Sequence, residues 1–575
     1  MDIIQTLAQQ LNLTAEQVGK TVQLIDEGNT IPFIARYRKE VTGSLDDSVL
    51  RTLDEKLTAL RNLAQRKQEV QDLIGAQGKL TEEVRAAIER AATVTEVDDI
   101  YRPFRPKRKT RASVARERGL EDLAILLFAQ EKSYTPSIEE QAARFVDPER
   151  EVPDVAAALQ GAMDIVAEEV SDNADYRREL RRLTFDAGSL TSKAAKEEDS
   201  VYAMYYDFSE PLRKLPGHRI LAIHRGEKEE FLKVALTVPE DVVLGYLYNR
   251  VLSGNRSPAE PYVREAVTDA YNRLIAPSIE REIRNDLFDT ACEGAIKVFS
   301  DNLGHLLMQP PLKGKVVLGF DPGYAHGCKL AVVDPTGKVL DTAVVYPTIK
   351  PRAEEAARVV KRLIRNYAVD VVAIGNGTAS RESEAFIAGL LKQIEKPCKY
   401  IIVSEAGASI YSASQLAAEE FPDFDVMQRS AVSIARRLQD PLAELVKIDP
   451  KGIGIGQYQH DMKQARLDEA LGGVVESCVN AVGVDINTAS YSLLSYIAGI
   501  NQTAAKNIVK YREENGAFTT RGQVTKVPRI GAKAFQQCAG FLRVPGGREA
   551  LDNTGVHPES YDCARRLLSM FGYSE

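Results

Sequence analysis

Val316-Val317-Leu318-Gly319-Phe320-Asp321-Pro322-Gly323 is a short apolar run that ends in an acid and then a turn. Two more strand-like runs follow at residues 329–333 and 339–346. Asp334-Pro335-Thr336-Gly337 joins them with residues suited to a hairpin turn. A helical stretch at 353–367, an apolar run at 369–374, a second helical stretch at 380–394 and a last run at 400–403 complete the segment. The predicted order is β-β-β-α-β-α-β, with an aspartate at the end of the first strand.

This is the element order of RNase H-like domains, including their resolvase branch. Cleavage by such a domain needs several carboxylates holding two divalent ions about 4 Å apart. Asp321 stands where the first ligand belongs. Gly375-Asn376-Gly377-Thr378, after the fourth strand, brings no acid, and Glu405 follows the fifth. The helix that should bring the last acid reads Arg429-Ser430-Ala431-Val432-Ser433-Ile434-Ala435-Arg436-Arg437, with arginines that repel metal and attract phosphate. Asp321 and Glu405 are therefore vestigial candidates. The module is expected to be a noncatalytic binding or docking surface, and no metal or cofactor is expected. A plain structural role for Asp321 is a turn acid before Pro322-Gly323.

Towards the C-terminus, residues 489–544 contain two helix-hairpin-helix candidates. The first is Leu494-x-x-Ile497-Ala498-Gly499-Ile500-Asn501 followed by Ala504, Ala505 and Ile508. The second is Val524-x-x-Val527-Pro528-Arg529-Ile530-Gly531 followed by Ala534 and Phe535. In this motif a tight turn exposes backbone amides at a helix start, and these bind phosphate oxygens. Glycine suits the turn because the backbone must approach the phosphate and adopt positive φ. Each candidate keeps one of the usual two glycines. Asn501, which tolerates the left-handed region, fills the second place in one hairpin; Arg529 fills the first place in the other. The expected contacts are the amides of Gly499, Ile500, Asn501, Ile530 and Gly531. Lys506, Lys510, Arg529 and Lys533 are expected to supply countercharge.

The first ~300 residues read almost entirely as helix. Thr14 and Gln17 form a capping-box pattern before Val18, Val22 and Ile25, and Gly28 stops that helix. Leu50, Leu53, Leu57, Leu60, Leu63 and Ala64 make an apolar stripe that reads as core. A β-hairpin is predicted from 219–223 and 231–238 around Arg225-Gly226-Glu227. A long amphipathic helix is predicted from Ile279 to Leu306. Arg102, Arg105, Lys107, Arg108, Lys109 and Arg111 lie within ten positions that hold no acid. Two prolines stiffen this segment, and Tyr101 and Phe104 are placed to anchor or stack. A solvated loop is the bland reading and phosphate contact the functional one. Pro450-Lys451-Gly452-Ile453-Gly454-Ile455-Gly456 matches neither nucleotide-loop pattern.

The 575 residues are too many for one core. Net charge is −8, which does not advertise a nucleic-acid binder. The six cysteines are scattered without a C-x-x-C pair, which argues against a zinc site or disulfide framework and for a reducing cytoplasm. No apolar run is long enough to span a membrane, and the first residues lack the pattern of a signal peptide.

Several stretches are distinctive together. They are Thr30-Ile31-Pro32-Phe33-Ile34-Ala35-Arg36-Tyr37-Arg38-Lys39-Glu40, Gly43-Ser44-Leu45-Asp46-Asp47 and Gly319-Phe320-Asp321-Pro322-Gly323. Three more are Ile374-Gly375-Asn376-Gly377-Thr378-Ala379-Ser380-Arg381-Glu382, Ala435-Arg436-Arg437-Leu438-Gln439-Asp440-Pro441-Leu442 and Gly456-Gln457-Tyr458-Gln459-His460-Asp461. On these the chain closely resembles the bacterial Tex family of transcription accessory or RNA-binding proteins, from near residue 1 to about residue 562. The resemblance implies a helical N-terminal region with a helix-turn-helix-like part, a YqgF-type RNase H-like domain and a tandem helix-hairpin-helix domain. It also implies a C-terminal OB-fold RNA-binding domain. Val556-His557-Pro558-Glu559-Ser560-Tyr561 matches the family stretch after the hairpins, but the residues up to Glu575 do not hold a five-stranded barrel. That domain is expected to be absent.

The expected fold is multidomain and mainly α, with an α/β RNase H-like (YqgF-type) module and a tandem helix-hairpin-helix domain. The expected divisions are a Tex-like N-terminal region at 1–200, a helix-turn-helix-like region with a small hairpin at 201–313 and the YqgF module at 314–445. A connecting segment at 446–488, the hairpins at 489–550 and a truncated segment at 551–575 complete it. The expected function is noncatalytic, non-sequence-specific binding of RNA or DNA backbone in transcription, with RNA polymerase or ribosome-associated proteins as further partner candidates and no membrane. Two other classes stay open: a metal-dependent nuclease using Asp321 and Glu405, and a protein scaffold with weak nucleic-acid contact.

Overall fold

The computed structural model describes residues 2–573 except 107, 108, 197 and 396. Lys107 and Arg108 of the basic segment therefore lie outside the described residues. The chain divides into two compact units, one of residues 1–11 and 55–294, the other of residues 12–54 and 295–575. Among the described residues, no helix is long and apolar enough to cross a membrane.

The first unit is helical around one small sheet. β1 (Ser189–Ala194) lies between β2 (Asp207–Pro211) and β3 (Leu232–Thr237), antiparallel to both. This corrects the predicted hairpin: residues 219–223 belong to a helix, Gly217–Lys228. Ile220, Leu221, Ala222 and Ile223 are all buried, a continuous apolar run that suits a buried helix turn as well as a strand. Gly226 sits in this helix rather than in a turn. A Cβ there would come within 2.7 Å of Leu232 Cδ1, so the missing side chain lets β3 close on the helix.

A buried ion network pins three helices of this unit, and the sequence did not announce it. Arg177, fully buried, donates from Nε to Asp99 (2.7 Å) and from Nη2 to Ser278 (2.8 Å) and Glu282 (3.0 Å). Arg181 Nη2 bridges the same two acids at 2.7 Å each. Asp99 lies on Val94–Tyr101, the arginines on Ala174–Ala187 and Glu282 on Ala276–Leu307. Arg177 and Asp99 are buried and Arg181 and Glu282 partly so, and each has at least two partners, the condition under which a buried ion pair is tolerated.

The second unit contains the RNase H-like module. β4 (Val317–Asp321), β5 (Cys328–Val333), β6 (Val339–Val345), β7 (Val371–Gly375) and β8 (Lys399–Val403) form one sheet in the order β6-β5-β4-β7-β8. The β4–β5 and β5–β6 pairs are antiparallel; β4–β7 and β7–β8 are parallel. Alternation along β4 makes two cores. Leu318 and Phe320 join Val360, Leu363, Ile364 and Ile387 of the helices Lys350–Asn366 and Ser380–Leu391. Val317 joins Ile434 and Ala435 of the helix Val426–Gln439 on the other face. Gly319 permits that second helix: a Cβ there would stand 2.1 Å from the carbonyl oxygen of Ala431. Residues 408–420 form two helices, Ala408–Ser412 and Gln415–Glu420, because Ser414 caps the second.

The Arg177 network makes a clear prediction. Arg177→Ala should cost about 3–5 kcal/mol in a denaturant titration that follows the first unit, because Asp99 and Glu282 lose a buried partner. Arg178→Ala, at an exposed ion pair with Asp175, should leave the midpoint unchanged.

Candidate nucleic-acid interface

Each C-terminal hairpin is a chain reversal held by two buried apolar side chains. In the first, Ile497 and Ile500 are 2% and 4% exposed; in the second, Val527 and Ile530 are 2% and 4% exposed. Between each pair the chain reverses through the left-handed region, at Gly499 (φ 77°) and Arg529 (φ 72°). The next helices then begin from extended residues, Asn501 (φ −86°, ψ 171°) before Gln502–Asn515 and Gly531 (φ −83°, ψ 179°) before Ala532–Cys538. The two turns share one backbone course although they share little sequence.

This geometry changes the roles expected of three residues. Asn501 does not use left-handed tolerance; it is the helix cap, its Oδ1 accepting the Ala504 amide at 2.9 Å. The Ile500 and Ile530 amides are not available to a phosphate, since they donate to the carbonyls of Ile497 (2.9 Å) and Val527 (3.2 Å). Gly499 keeps its glycine for two reasons, the positive φ and a neighbour: a Cβ would lie 2.6 Å from Gln537 Cβ. Among the described residues, no hydrogen bond uses the amides of Asn501, Gln502 or Thr503, or those of Gly531, Ala532 or Lys533. All six residues are exposed. These amides are open donors of the two turns; those of Asn501 and Gly531 are among the expected contacts, and the others lie one or two positions later.

The turns pack on each other reciprocally. Gly499 meets Ala534 and Gln537 of the second hairpin, and Asn507 Nδ2 of the first donates to the Pro528 carbonyl at 2.9 Å. The N-terminal helices lie against the same element. Thr30 donates its amide (2.9 Å) and hydroxyl (3.0 Å) to Gln537 Oε1, and Gln537 Nε2 donates to Asn29. Phe33 and Tyr37 pack on His557, and Arg38 pairs with Glu559 at 3.1 Å. The stretch from Thr30 to Glu40, distinctive as sequence, is thus part of the packing around the hairpins. Its aromatic residues at i and i+4 signalled a packed face but not which partner it meets.

The expected cations divide. Arg529 is exposed and has no hydrogen-bond or ion-pair partner among the described residues, and Lys506 lies 5.1 Å over the Tyr491 ring. Lys510 is 3.7 Å from Glu514. Lys533 is committed elsewhere: its ammonium donates to the Glu27 carbonyl at 2.6 Å and caps the helix Ala15–Asp26. In the first unit, Arg102 pairs with Asp172 at 3.3 Å, and Lys109 is 4.0 Å from Glu117. Arg105 and Arg111 are exposed, with Arg111 opening a helix capped by Thr110. Tyr101 and Phe104 belong to the core of that unit, so they anchor the segment rather than stack on a base.

Asp321 and Glu405 do come together at the sheet's C-terminal edge. Burial pushes the Asp321 carboxyl above its usual range, against the Ser430 hydrogen bond and the Lys329 charge. Burial, then the Asp321 charge, does the same to Glu405. Gly375 and Gly377 cradle Glu405: Cβ atoms there would stand 2.3 and 1.6 Å from its carboxylate oxygens. Lys329 is nearly buried beside Asp321. Arg437, also buried, donates Nη1 to the carbonyls of Ser404 (2.9 Å) and Ala406 (2.6 Å). Burial pushes the Arg437 pKa down to about 10. Among the described residues, no three His, Cys, Asp or Glu side chains are grouped to hold a metal. Two carboxylates shared with two cations do not fit a pair of divalent ions.

A fold of this kind, an RNase H-like sheet followed by paired helical hairpins, defines a class of multidomain protein that the family comparisons also recover. Residues 315–439 match the Tex protein YqgF-like domain, 133–299 the Tex central region-like domain and 1–75 the Tex-like N-terminal domain. Residues 479–543 match the helix-hairpin-helix motif, and 549–575 a further HHH domain. The Neisseria gonorrhoeae transcriptional accessory protein Tex is 46% identical over 581 residues, covering 100% of this chain and 76% of that protein. Protein YhgF of Escherichia coli is 45% identical over 98% of the chain and 74% of its own length. Protein YdcI of Bacillus subtilis, described as uncharacterised, is 49% identical over 99% of the chain and 80% of its own length. The chain belongs to the Tex family.

Two consequences are measurable. Arg529→Gly should raise stability by up to about 1 kcal/mol, because left-handed strain is relieved against the entropy glycine adds to the unfolded chain. Gly499→Ala should lower it through the same strain plus the Gln537 clash; denaturant midpoints read both. For the acids, the folded pKa values lie above the unfolded ones, so the folded state binds more protons between them. Stability then falls as pH rises from about 4 through the folded values. Asp321→Asn removes part of that loss, so the difference in Tm between variant and parent should be more positive at pH 7 than at pH 4.

Proposed function

We propose that this chain holds nucleic acid by its sugar-phosphate backbone, without reading sequence, as an accessory protein in transcription. The observation that carries the reading is the matched pair of turns at 497–501 and 527–531, each exposing unused amides beside Arg529 or Lys506. Neutral amides and a few cations recognise charge and spacing, which every sequence shares. A relative named transcriptional accessory protein Tex supports the setting, and RNA polymerase or ribosome-associated proteins are the corresponding candidate partners.

The RNase H-like module serves in this reading as a noncatalytic surface. Lys329 and Arg437 supply the positive charge beside Asp321 and Glu405 that a nuclease takes from metal ions. The commitment of Lys533, Lys510 and Arg102 to protein partners favours a scaffold role as the second reading.

Titrations against single-stranded RNA, single-stranded DNA and duplex at several salt concentrations separate these readings. Binding through the hairpins gives log K falling with log salt. Arg529→Gln and Lys506→Gln should each reduce the slope by about 0.7 on single strands or 0.9 on duplex, equally for all sequences. A flat salt response supports the scaffold instead. Incubation of branched DNA or RNA with magnesium should give no cleavage; cleavage that Asp321→Asn abolishes overturns the noncatalytic assignment.

A further inference from the structure

Three arginines of the second unit converge around Gly555 with one carboxylate among them. Arg521 is fully buried and satisfied. Its Nε donates to the Leu542 carbonyl (2.9 Å), its Nη1 to the Val556 carbonyl and Tyr561 hydroxyl (2.7 Å each) and its Nη2 to the Thr554 carbonyl. Asp552, 4.0 Å away, is its counterion. Arg543 lies on β10 (Leu542–Arg543), which pairs with β9 (Val484–Asp485). It spends Nη1 on the carbonyls of Gly540 (2.7 Å) and Leu542 (3.0 Å). Its Nη2 has no hydrogen-bond partner among the described residues.

Arg36 arrives from the other end of the chain, on the helix Ile31–Tyr37. The position a Cβ would take on Gly555 lies 3.2 Å from Arg36 Nη2 and 3.7 Å from Arg543 Nη2. A Cβ on Gly483 would lie 2.6 Å from Arg543 Nη2, so glycines keep this space open on two sides. The Tyr37 hydroxyl borders it, donating to the Gly555 carbonyl at 3.2 Å. Among the described residues, neither Arg36 nor Arg543 has a carboxylate within ion-pair reach. Burial, then Arg521, with Arg36 adding to it, holds the Arg543 guanidinium below its ordinary pKa. Arg38, two positions on, is by contrast already balanced by Glu559.

Two guanidinium groups facing one glycine-lined space without a counterion suit a tetrahedral oxyanion, which accepts from both forks and removes their mutual repulsion. We infer that Arg36 and Arg543 form a phosphate-binding site for the backbone of a polynucleotide, separate from the hairpin turns. The occupant is assigned as polynucleotide on the strength of the proposed function, and it would join the N-terminal helices to the hairpin domain through one shared anion.

The test uses the full chain. Tripolyphosphate at millimolar concentration should raise the Tm of the parent, and this rise should vanish in Arg36→Gln, an exposed position whose loss leaves the fold intact. Arg543→Lys, which keeps charge without the fork, should weaken it. Arg36→Gln should also reduce the salt slope for single-stranded RNA by about 0.7, and Arg38→Gln should not. An equal Tm rise in parent and Arg36→Gln overturns the site. A Tm rise lost in Arg36→Gln with an unchanged RNA slope overturns the polynucleotide and leaves a free-phosphate site. Failure of the hairpin reading shows separately, as an unchanged slope in Arg529→Gln.

Discussion

The C-terminal region depends on a backbone constraint. A chain that ends one helical turn, reverses and starts the next helix within a few residues does so here through a residue at positive φ. Gly499 does this at little steric cost, whereas Arg529 does it against the strain that a Cβ brings. The shared constraint explains why two stretches with different residues have one shape. It also decides which amides are used inside the turn and which are left open. Ile500 and Ile530 close the turn, and the next three amides of each hairpin have no partner among the described residues. The reciprocal packing of Gly499 on Gln537 and Asn507 on Pro528 makes the two turns one object.

Several charges in this molecule are spent on structure. Arg177 and Arg181 hold helices together through Asp99 and Glu282, Lys533 caps a helix, and Arg521 gathers carbonyls from the segment that follows the hairpins. A net charge of −8 is compatible with anion binding because what matters is which cations lack partners. Arg529, Arg36 and Arg543 lack carboxylate partners among the described residues. The RNase H-like module shows the converse case. Asp321 and Glu405 are drawn together by the strand ends, but Lys329 and Arg437 share their site, and burial makes ionisation of both acids costly.

Elements with a regular period are legible in the residue pattern alone. The β-β-β-α-β-α-β order, the capping box at Thr14 and Gln17, the long helix ending near Leu307 and the positions of both hairpins follow from local pattern. Residues 219–223 are not, because a continuous apolar run fits a buried helix turn and a buried strand equally. The site is legible to within one or two residues. The motif names the turns, but which amides stay open depends on hydrogen bonds that residue types do not reveal, and Asn501 proves to be a cap rather than a turn residue.

Local sequence by itself determined the kind of most regular elements and the places where the C-terminal chain reverses, since sterics and hydrophobic period act over a few positions. Only the tertiary structure decided partnership. Thr30 meets Gln537, Arg36 meets Arg543 and Glu405 settles between Gly375 and Gly377, across separations that no local pattern encodes. A cation's role follows from what lies opposite it in space, and that is set when distant segments compete for the same buried surface and the same unpaired carbonyls.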